Sequence, residues 1–296
     1  MDGLAHPTVG PRLPWSGSAS ALAPGYTEWA APAGLRHAIA CLWAQVNPGG
    51  DREGLVLPDA CSDLIWEQGR GAYVAGPDTG PVRTVMTGGT VIIGVRFVPS
   101  AGGPALGVPL SELRDQRVDL ADLRHRDARR LPGTLDPDTA VARALDVAAG
   151  LVAVSEPDRA ATWAAELLAD PQARTEDVAA EIGLSLRQLR RRCHAAVGYG
   201  PKTLQRVLRF RRFVSRIDQI NANQRPPQTS RGGLDTHDLA AFAAQAGYAD
   251  QAHLTRECRR LAGLTPAALA RQRAQGRGSP MHLTDPDRHP IGTVFP

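Results

Sequence analysis

The apolar positions of this chain change period partway along it. Between about 34 and 123 they alternate. In VIIGVRFV, Ile93, Val95 and Phe97 fall on one side and Gly94 and Arg96 on the other, the two-residue repeat of a half-buried strand. DLIWE and AYVAG flank the loop QGRG and read as a hairpin, with RTVMTG a further strand. A short helical segment around PLSELRD closes this block. From 157 onward the apolar spacing becomes three and four, and every segment reads as helix. An Ala-rich helical stretch, DTAVARALDVAAGLVAV, lies between the two regimes. The pattern predicts an α+β, multidomain chain, in which a small β-rich domain (cupin-like or sandwich) precedes an all-α domain. The expected divisions are a disordered lead-in over 1–33, the β-rich domain over 34–123, a linker with a helix over 124–156, the helical domain over 157–274 and a flexible tail over 275–296. The polar stretch 221–233 interrupts the helices as an exposed loop.

The helical half carries a duplication. LRRRCHAAVGYGP (189–201) and LTRECRRLAGLTP (254–266) share Leu, Arg, Cys, Gly and Pro at the same places, 65 residues apart. Upstream, VAAEIG (178–183) matches FAAQAG (242–247). Helix, glycine-containing turn and second helix form a helix-turn-helix unit, so the domain is expected to hold two. The starts are marked. Ser185 with Gln188 makes a capping box, Asp250 caps the later helix, acidic residues follow Thr175, and Pro201 and Pro266 take first helical positions.

Each second helix divides by face. Leu186, Leu189, Cys193 and Val197 make a buried stripe in the first unit, and Leu254, Cys258 and Leu261 in the second. Arg187, Arg190 and Arg191 then face outward, as do Gln251, Thr255 and Arg256. Arginine pairs with guanine and glutamine with adenine in a major groove. Arg192, Arg259 and Arg260 are read as phosphate- or water-facing. Between the units, PKTLQRVLRFRRFVSRIDQI has an apolar stripe of Leu204, Val207, Leu208, Val214 and Ile217, decorated by Arg206, Arg209, Arg212 and Arg216. Its twenty residues span about 30 Å as helix, close to the ~34 Å between successive major grooves. That helix is expected to set two reading helices one DNA turn apart.

Charge supports this division. The chain of 296 residues has a net charge of +4, but 156–275 holds 19 Lys/Arg against 12 Asp/Glu, and the rest 15 against 18. A basic domain joined to a slightly acidic one fits a polyanionic partner for the first only. Lys202 is the sole lysine, which reads as codon bias. No run of eighteen apolar residues exists and the N-terminus does not have the form of a secretory signal, so no membrane partner is expected. The four scattered cysteines, Cys41, Cys61, Cys193 and Cys258, read as reduced thiols of a cytoplasmic protein.

At the duplicated residues the chain resembles the DNA-binding domain of the AraC/XylS family of bacterial transcription regulators, over about 160–273, including the closing GLTPAALARQR. The resemblance implies groove contact by Arg187, Arg190 and Arg191, and by Gln251, Ala252, Thr255 and Arg256, with Ala252 offering only apolar contact. It implies double-stranded DNA as partner, with RNA polymerase, a small-molecule effector and a second copy of the chain as further candidates. Two features depart from the family. Cysteines 193 and 258 stand where a bulkier residue is usual, and 221–233 lengthens a normally short connection.

The segments LVLPDACSDLIWEQGRGAYVAGPDT and GVRFVPSAGGPALGVPLSELRD resemble an uncharacterised β-rich domain found before such DNA-binding domains. This implies an effector or dimerisation module. Only His37 lies in the block, so no metal or other cofactor is expected. Cys61, Asp63 and Ile65 share one strand face, with Trp66 opposite. Two readings stay open: a ligand pocket with a thiol and a carboxylate, or a packed cysteine beside turn acids. Arg96 is either an anion-binding group or the partner of a nearby aspartate. A regulator, not an enzyme, is the leading reading. The alternatives are a cysteine-dependent alkyl-accepting DNA repair protein, which needs an activated thiol, and a structural nucleoid binder without sequence preference.

Overall fold

The structure, a computed structural model, describes residues 22, 24–123, 137–223 and 236–274. The polar stretch 124–136, most of the 221–233 loop, the 275–296 tail and most of the 1–33 lead-in lie outside these residues.

Among the described residues, eight strands build the β-rich domain. They are β1 (Gly25–Ala30), β2 (Ile39–Val46), β3 (Arg52–Val56), β4 (Ser62–Glu67), β5 (Gly71–Ala75), β6 (Val82–Met86), β7 (Val91–Phe97) and β8 (Arg117–Asp119). Six form one antiparallel sheet in the order β1-β2-β7-β4-β5-β8, and β3 pairs with β6 as a separate ribbon. The expected hairpin is β4–β5, with Asp63 opposite Ala75. One expectation is corrected. The lead-in was to reach 33, yet β1 occupies Gly25–Ala30 as an edge strand paired along its whole length with β2. Its six residues lie in a stretch rich in Pro, Gly and Ala without a repeating apolar pattern, and pairing with β2 makes them a strand.

Alternation on these strands separates two faces. Leu64, Trp66, Val74, Ile93, Val95 and Phe97 point to one side. They pack against α1 (Gly102–Leu106), α2 (Leu110–Leu113) and α3 (Pro137–Ala153). The Ala-rich helix expected as a linker is therefore a covering layer: Ala140, Ala144, Ala148 and Leu151 on α3 are fully buried against the sheet. Small residues let the helix lie close. On the other face Cys41, Trp43, Ile65, Tyr73 and Ala75 form a smaller cluster, which the β3–β6 ribbon faces across a gap.

Among the described residues, seven helices form the second domain: α4 (Arg159–Leu168), α5 (Thr175–Glu181), α6 (Leu186–Val197), α7 (Pro201–Asn223), α8 (Thr236–Gln245), α9 (Gln251–Ala262) and α10 (Pro266–Ala274). The capping box at Ser185–Gln188 is present, and the Asp250 carboxylate accepts from the His253 amide at 2.6 Å. Both reading helices, α6 and α9, end in a left-handed glycine, Gly198 at φ 93° and Gly263 at φ 69°. The duplication thus repeats the start, the buried stripe and the stop of one helix.

The long α7 is the buried axis of this domain. Leu204, Val207, Phe210, Phe213, Val214 and Ile217 are almost wholly excluded from solvent, packed among α4, α6, α8, α9 and α10. Its arginines are braces. Arg206 pairs with Glu257 at 3.0 Å, Arg209 donates to the Pro171 carbonyl at 3.2 Å, and Arg212 donates to the Ala169 carbonyl. No described helix is long and apolar enough to cross a membrane.

Cys193 and Cys258 are fully buried free thiols at equivalent points of α6 and α9. Burial pushes each up to about 12, with Asp158 adding to the first and Glu257 to the second, so both are neutral fillers of the core. Replacing either by Ala should lower stability by about 1 kcal/mol, whereas Ser should cost about 1–3 kcal/mol by burying a hydroxyl. Melting temperatures of the four variants, with and without oxidant, test this. A melting temperature that depends on oxidant would make the pair a redox sensor.

Candidate nucleic-acid interface and the adjoining chamber

Burial of Leu189 and Cys193 on one side of α6 turns Arg187, Arg190 and Arg191 outward, and all three are exposed. On α9, Leu254 and Cys258 are buried, leaving Ala252 and Arg256 exposed and Gln251 and Thr255 half-buried. Thr255 departs from its expected role. Its hydroxyl donates to the Gln251 carbonyl at 2.8 Å, so toward a ligand it presents mainly a methyl group. Arg192 is held by Asp158, both carboxylate oxygens at 2.8 Å from Nη1. That carboxylate also caps α4.

Arg190 and His194 of α6, Lys202 and Arg206 of α7, Arg260 of α9 and Arg114 of the β-rich domain line one cleft of about 530 Å³. Of these, His194 and Arg114 were not singled out in the sequence, and Lys202 was read there only as codon bias. The cleft depends on how the two units meet.

They meet through the β-rich domain. The loop joining β5 to β6 carries Pro77 and Pro81. A Cβ placed on Gly198 would lie 2.5 Å from Pro77 Cγ, and one on Gly263 would lie 3.8 Å from Pro81 Cγ. One short loop therefore addresses the stop of both reading helices. It is pinned from within its own domain. Asp115 accepts from the Thr79 amide at 2.7 Å and from its hydroxyl at 2.9 Å, and Arg117 grips Asp78 with two bonds of 2.9 and 2.7 Å. Five residues of chain span at most about 14 Å between their end Cα atoms. The two helix ends thus sit close together beside the first turns of α7. Further contacts seal the junction: Ser100 and Thr162 hydroxyls 2.8 Å apart, and α1 and α2 packed on α6.

The third feature is a chamber of about 1550 Å³ between the cysteine-bearing sheet face, the β3–β6 ribbon and α10. The structure brings Cys61, Asp63 and Arg96 together in its wall, with Asp59. Arg96 Nε lies 3.1 Å from Asp63 Oδ1 and 3.5 Å from Asp59 Oδ2. Asp63 Oδ1 also accepts from Trp43 Nε1 at 2.7 Å. Burial lifts the Asp63 carboxyl above its ordinary value, with Arg96 opposing. Burial alone would lower Arg96; Asp63 and Asp59 reverse this and hold the guanidinium charged. Trp43 was not singled out in the sequence, because its link to Asp63 runs from β2 across β7 to β4.

Cys61 is not prepared as a nucleophile. Burial pushes its thiol up, and the Asp59 charge pushes in the same direction. An alkyl-accepting cysteine needs the opposite shift. Cys41 is likewise raised, by burial first.

The sequence family described as a domain of unknown function (DUF6597) matches residues 27–119, a span from β1 to β8. No curated protein matches the chain in sequence. Crystal structures of ToxT from Vibrio cholerae are similar in outline. That from strain O395 has a TM-score of 0.38 and 11% identity, over 77% of this chain and 96% of that one. The P21 form has a TM-score of 0.37 and 10% identity, over 83% and 98%. Wild-type ToxT of strain SCE256 bound to an unsaturated fatty acid has a TM-score of 0.36 and 10% identity, over 77% and 93%.

The duplicated glycines provide an internal control on the domain junction. Gly263→Ala should cost about 1–2 kcal/mol, the left-handed backbone alone. Gly198→Ala should cost more, because its Cβ also meets Pro77 and, at 3.1 Å, the Leu110 carbonyl. Denaturant unfolding of the two variants measures the difference. Equal losses would mean that the loop does not press on α6.

Proposed function

We propose that this chain is a sequence-specific, DNA-binding transcription regulator of the AraC/XylS type. The observation that carries this reading is the pair of reading helices, α6 and α9. They are capped alike, buried on the same stripe and stopped by the same left-handed glycine, yet bear different exposed side chains. A duplicated scaffold with differing faces suits an asymmetric site. Arg187, Arg190 and Arg191 read one groove and Gln251 and Arg256 the next, with Ala252 and the Thr255 methyl in apolar contact. Arg260 and Lys202 lie in the cleft between, suited to the intervening phosphates. The β-rich domain serves as the sensing module, with Cys61, Asp63 and Arg96 in the wall of its ligand chamber. The arrangement favours a regulator over an alkyl-accepting enzyme, because the thiols of all four cysteines are displaced away from the reactive thiolate.

Selection of bound sequences from random DNA, followed by footprinting of the full chain, tests the reading. Protection should cover two adjacent major grooves with centres about 10 bp apart, and the two half-sequences should differ. Arg191→Ala and Arg256→Ala should each weaken the selected site by about 1–3 kcal/mol and relax preference in one half only. Equal loss on selected and random DNA would reduce both residues to phosphate contacts. Protection of a single groove would overturn the two-unit reading.

A further inference from the structure

The β-rich domain carries one cationic side chain into the helical half. Arg114 follows α2, which packs on α6. The next residue, Asp115, holds a left-handed backbone at φ 59°, a conformation uncommon outside glycine. Thr79 keeps it there, since the Asp115 carboxylate accepts from both the Thr79 amide and the Thr79 hydroxyl. Arg114 Nη1 lies 3.5 Å from the Gly198 carbonyl oxygen, at the stop of α6. That separation is at the limit of a hydrogen bond. Arg114 makes no ion pair among the described residues, and it is exposed.

Arg114 opens onto the cleft that Arg190, Lys202 and Arg260 also line. These three are likewise exposed and without an ion pair among the described residues. Arg206 lines the cleft too, but Glu257 engages it. One carboxylate, Asp115, reaches the cleft, and Thr79 occupies it. Part of the wall is the first turn of α7, the longest described helix, whose N-terminal pole adds to the positive field. Four unpaired cations around one space of about 530 Å³ repel one another, and a polyanion laid across them removes that repulsion. Position selects the polyanion. The walls are α6 on one side and the end of α9 on the other, and Arg190 belongs both to the cleft and to the face of α6 assigned to a groove. A duplex engaged by both helices presents its sugar–phosphate backbone between the two grooves.

We infer that the β-rich domain itself takes part in binding DNA, with Arg114 contacting a backbone phosphate between the two grooves. The inference rests on the regulator reading and adds to it a contact made from outside both reading units. A phosphate contact fixes the register of a duplex and carries no sequence information. Arg114 therefore adds affinity on any duplex, while preference among sequences stays with α6 and α9. The clamp of Thr79 on Asp115 holds the turn beside Arg114, so the guanidinium is placed before DNA arrives.

Fluorescence anisotropy on the full chain tests this, with the selected site and a random duplex of equal length, over about 50 to 200 mM salt. Arg114→Gln keeps a donor for the Gly198 carbonyl and removes the charge. Its plot of log affinity against log salt should become shallower by about 0.9, which makes the loss of affinity about threefold larger at the lower salt. The loss should be equal on the two duplexes. Arg114→Lys should keep the wild-type slope. Arg36→Gln removes the same charge from the β-rich domain outside the cleft and should also keep it. An unchanged slope in Arg114→Gln, a loss confined to the selected site, or an equal change in Arg36→Gln would overturn the inference. Photocrosslinking decides the matter if Arg114→Gln fails to fold. Arg114→Cys is labelled with p-azidophenacyl bromide, and the four native thiols are buried. The label should crosslink DNA between the two half-sites, and no crosslink, or one outside that span, overturns the inference alone. A wild-type chain that binds no DNA overturns the regulator reading and this contact with it.

Discussion

The arrangement of the molecule depends on a loop of five residues, Pro77 to Pro81. A reading helix of twelve residues has no fixed direction of its own; its caps and its packing supply one. Here both reading helices stop at left-handed glycines, and the same loop lies against both stops. The loop is stiff because proline fixes two of its positions and because Asp115 and Arg117 hold Thr79 and Asp78 between them. Leu55, Leu57 and Ala60 of the β-rich domain also enter the core of the helical domain. Two domains joined this way are held by one shared core and by one loop that lies against the ends of both α6 and α9.

The chamber obeys a second constraint, the burial of charge. Two carboxylates and a guanidinium are placed at the sheet face with little solvent, a costly arrangement unless the hydrogen bonds are complete. Most are complete. Trp43 and Arg96 both serve Asp63, and the Cys61 amide donates to Asp59 at 2.9 Å. The same network sets the pose of Trp43, whose ring lies over Gly94 on the neighbouring strand.

The sequence disclosed what is local. Caps, stops and buried stripes of α6 and α9 follow from residues three and four apart, and the duplication made each half corroborate the other. The β4–β5 hairpin and the shared face of Cys61, Asp63 and Ile65 were legible for the same reason. What escaped was set by long-range register. The edge strand β1 lies in a stretch rich in Pro, Gly and Ala, and its pairing with β2 alone makes it a strand. The Ala-rich α3 read as a linker because small residues give a weak stripe, yet smallness is what lets it cover the sheet. Arg96 faces Asp63 across β7 and β4, Trp43 reaches the same carboxylate from β2, and no spacing along the chain encodes either meeting. Thr255 was placed on the correct face, but a side-chain hydroxyl that bonds back to its own helix cannot be seen in a pattern of faces.

The balance of charge in the helical domain acquires meaning only from its pairing. Counted along the chain, arginines are spread over α4, α6, α7, α9 and α10. In the fold the acids are engaged away from the reading surfaces: Asp158 with Arg192, Glu257 with Arg206 and Asp218 with Arg273. Arg209 and Arg212 are turned inward onto backbone carbonyls. Arg187, Arg190, Arg191, Arg256, Arg259 and Arg260 make no ion pair among the described residues and are exposed. Internal pairing therefore leaves a modest excess of positive charge on α6, α9 and the cleft between them. On the proposed reading, a field so placed would attract a polyanion to the surface that carries the differing exposed side chains, without raising the charge of the protein as a whole.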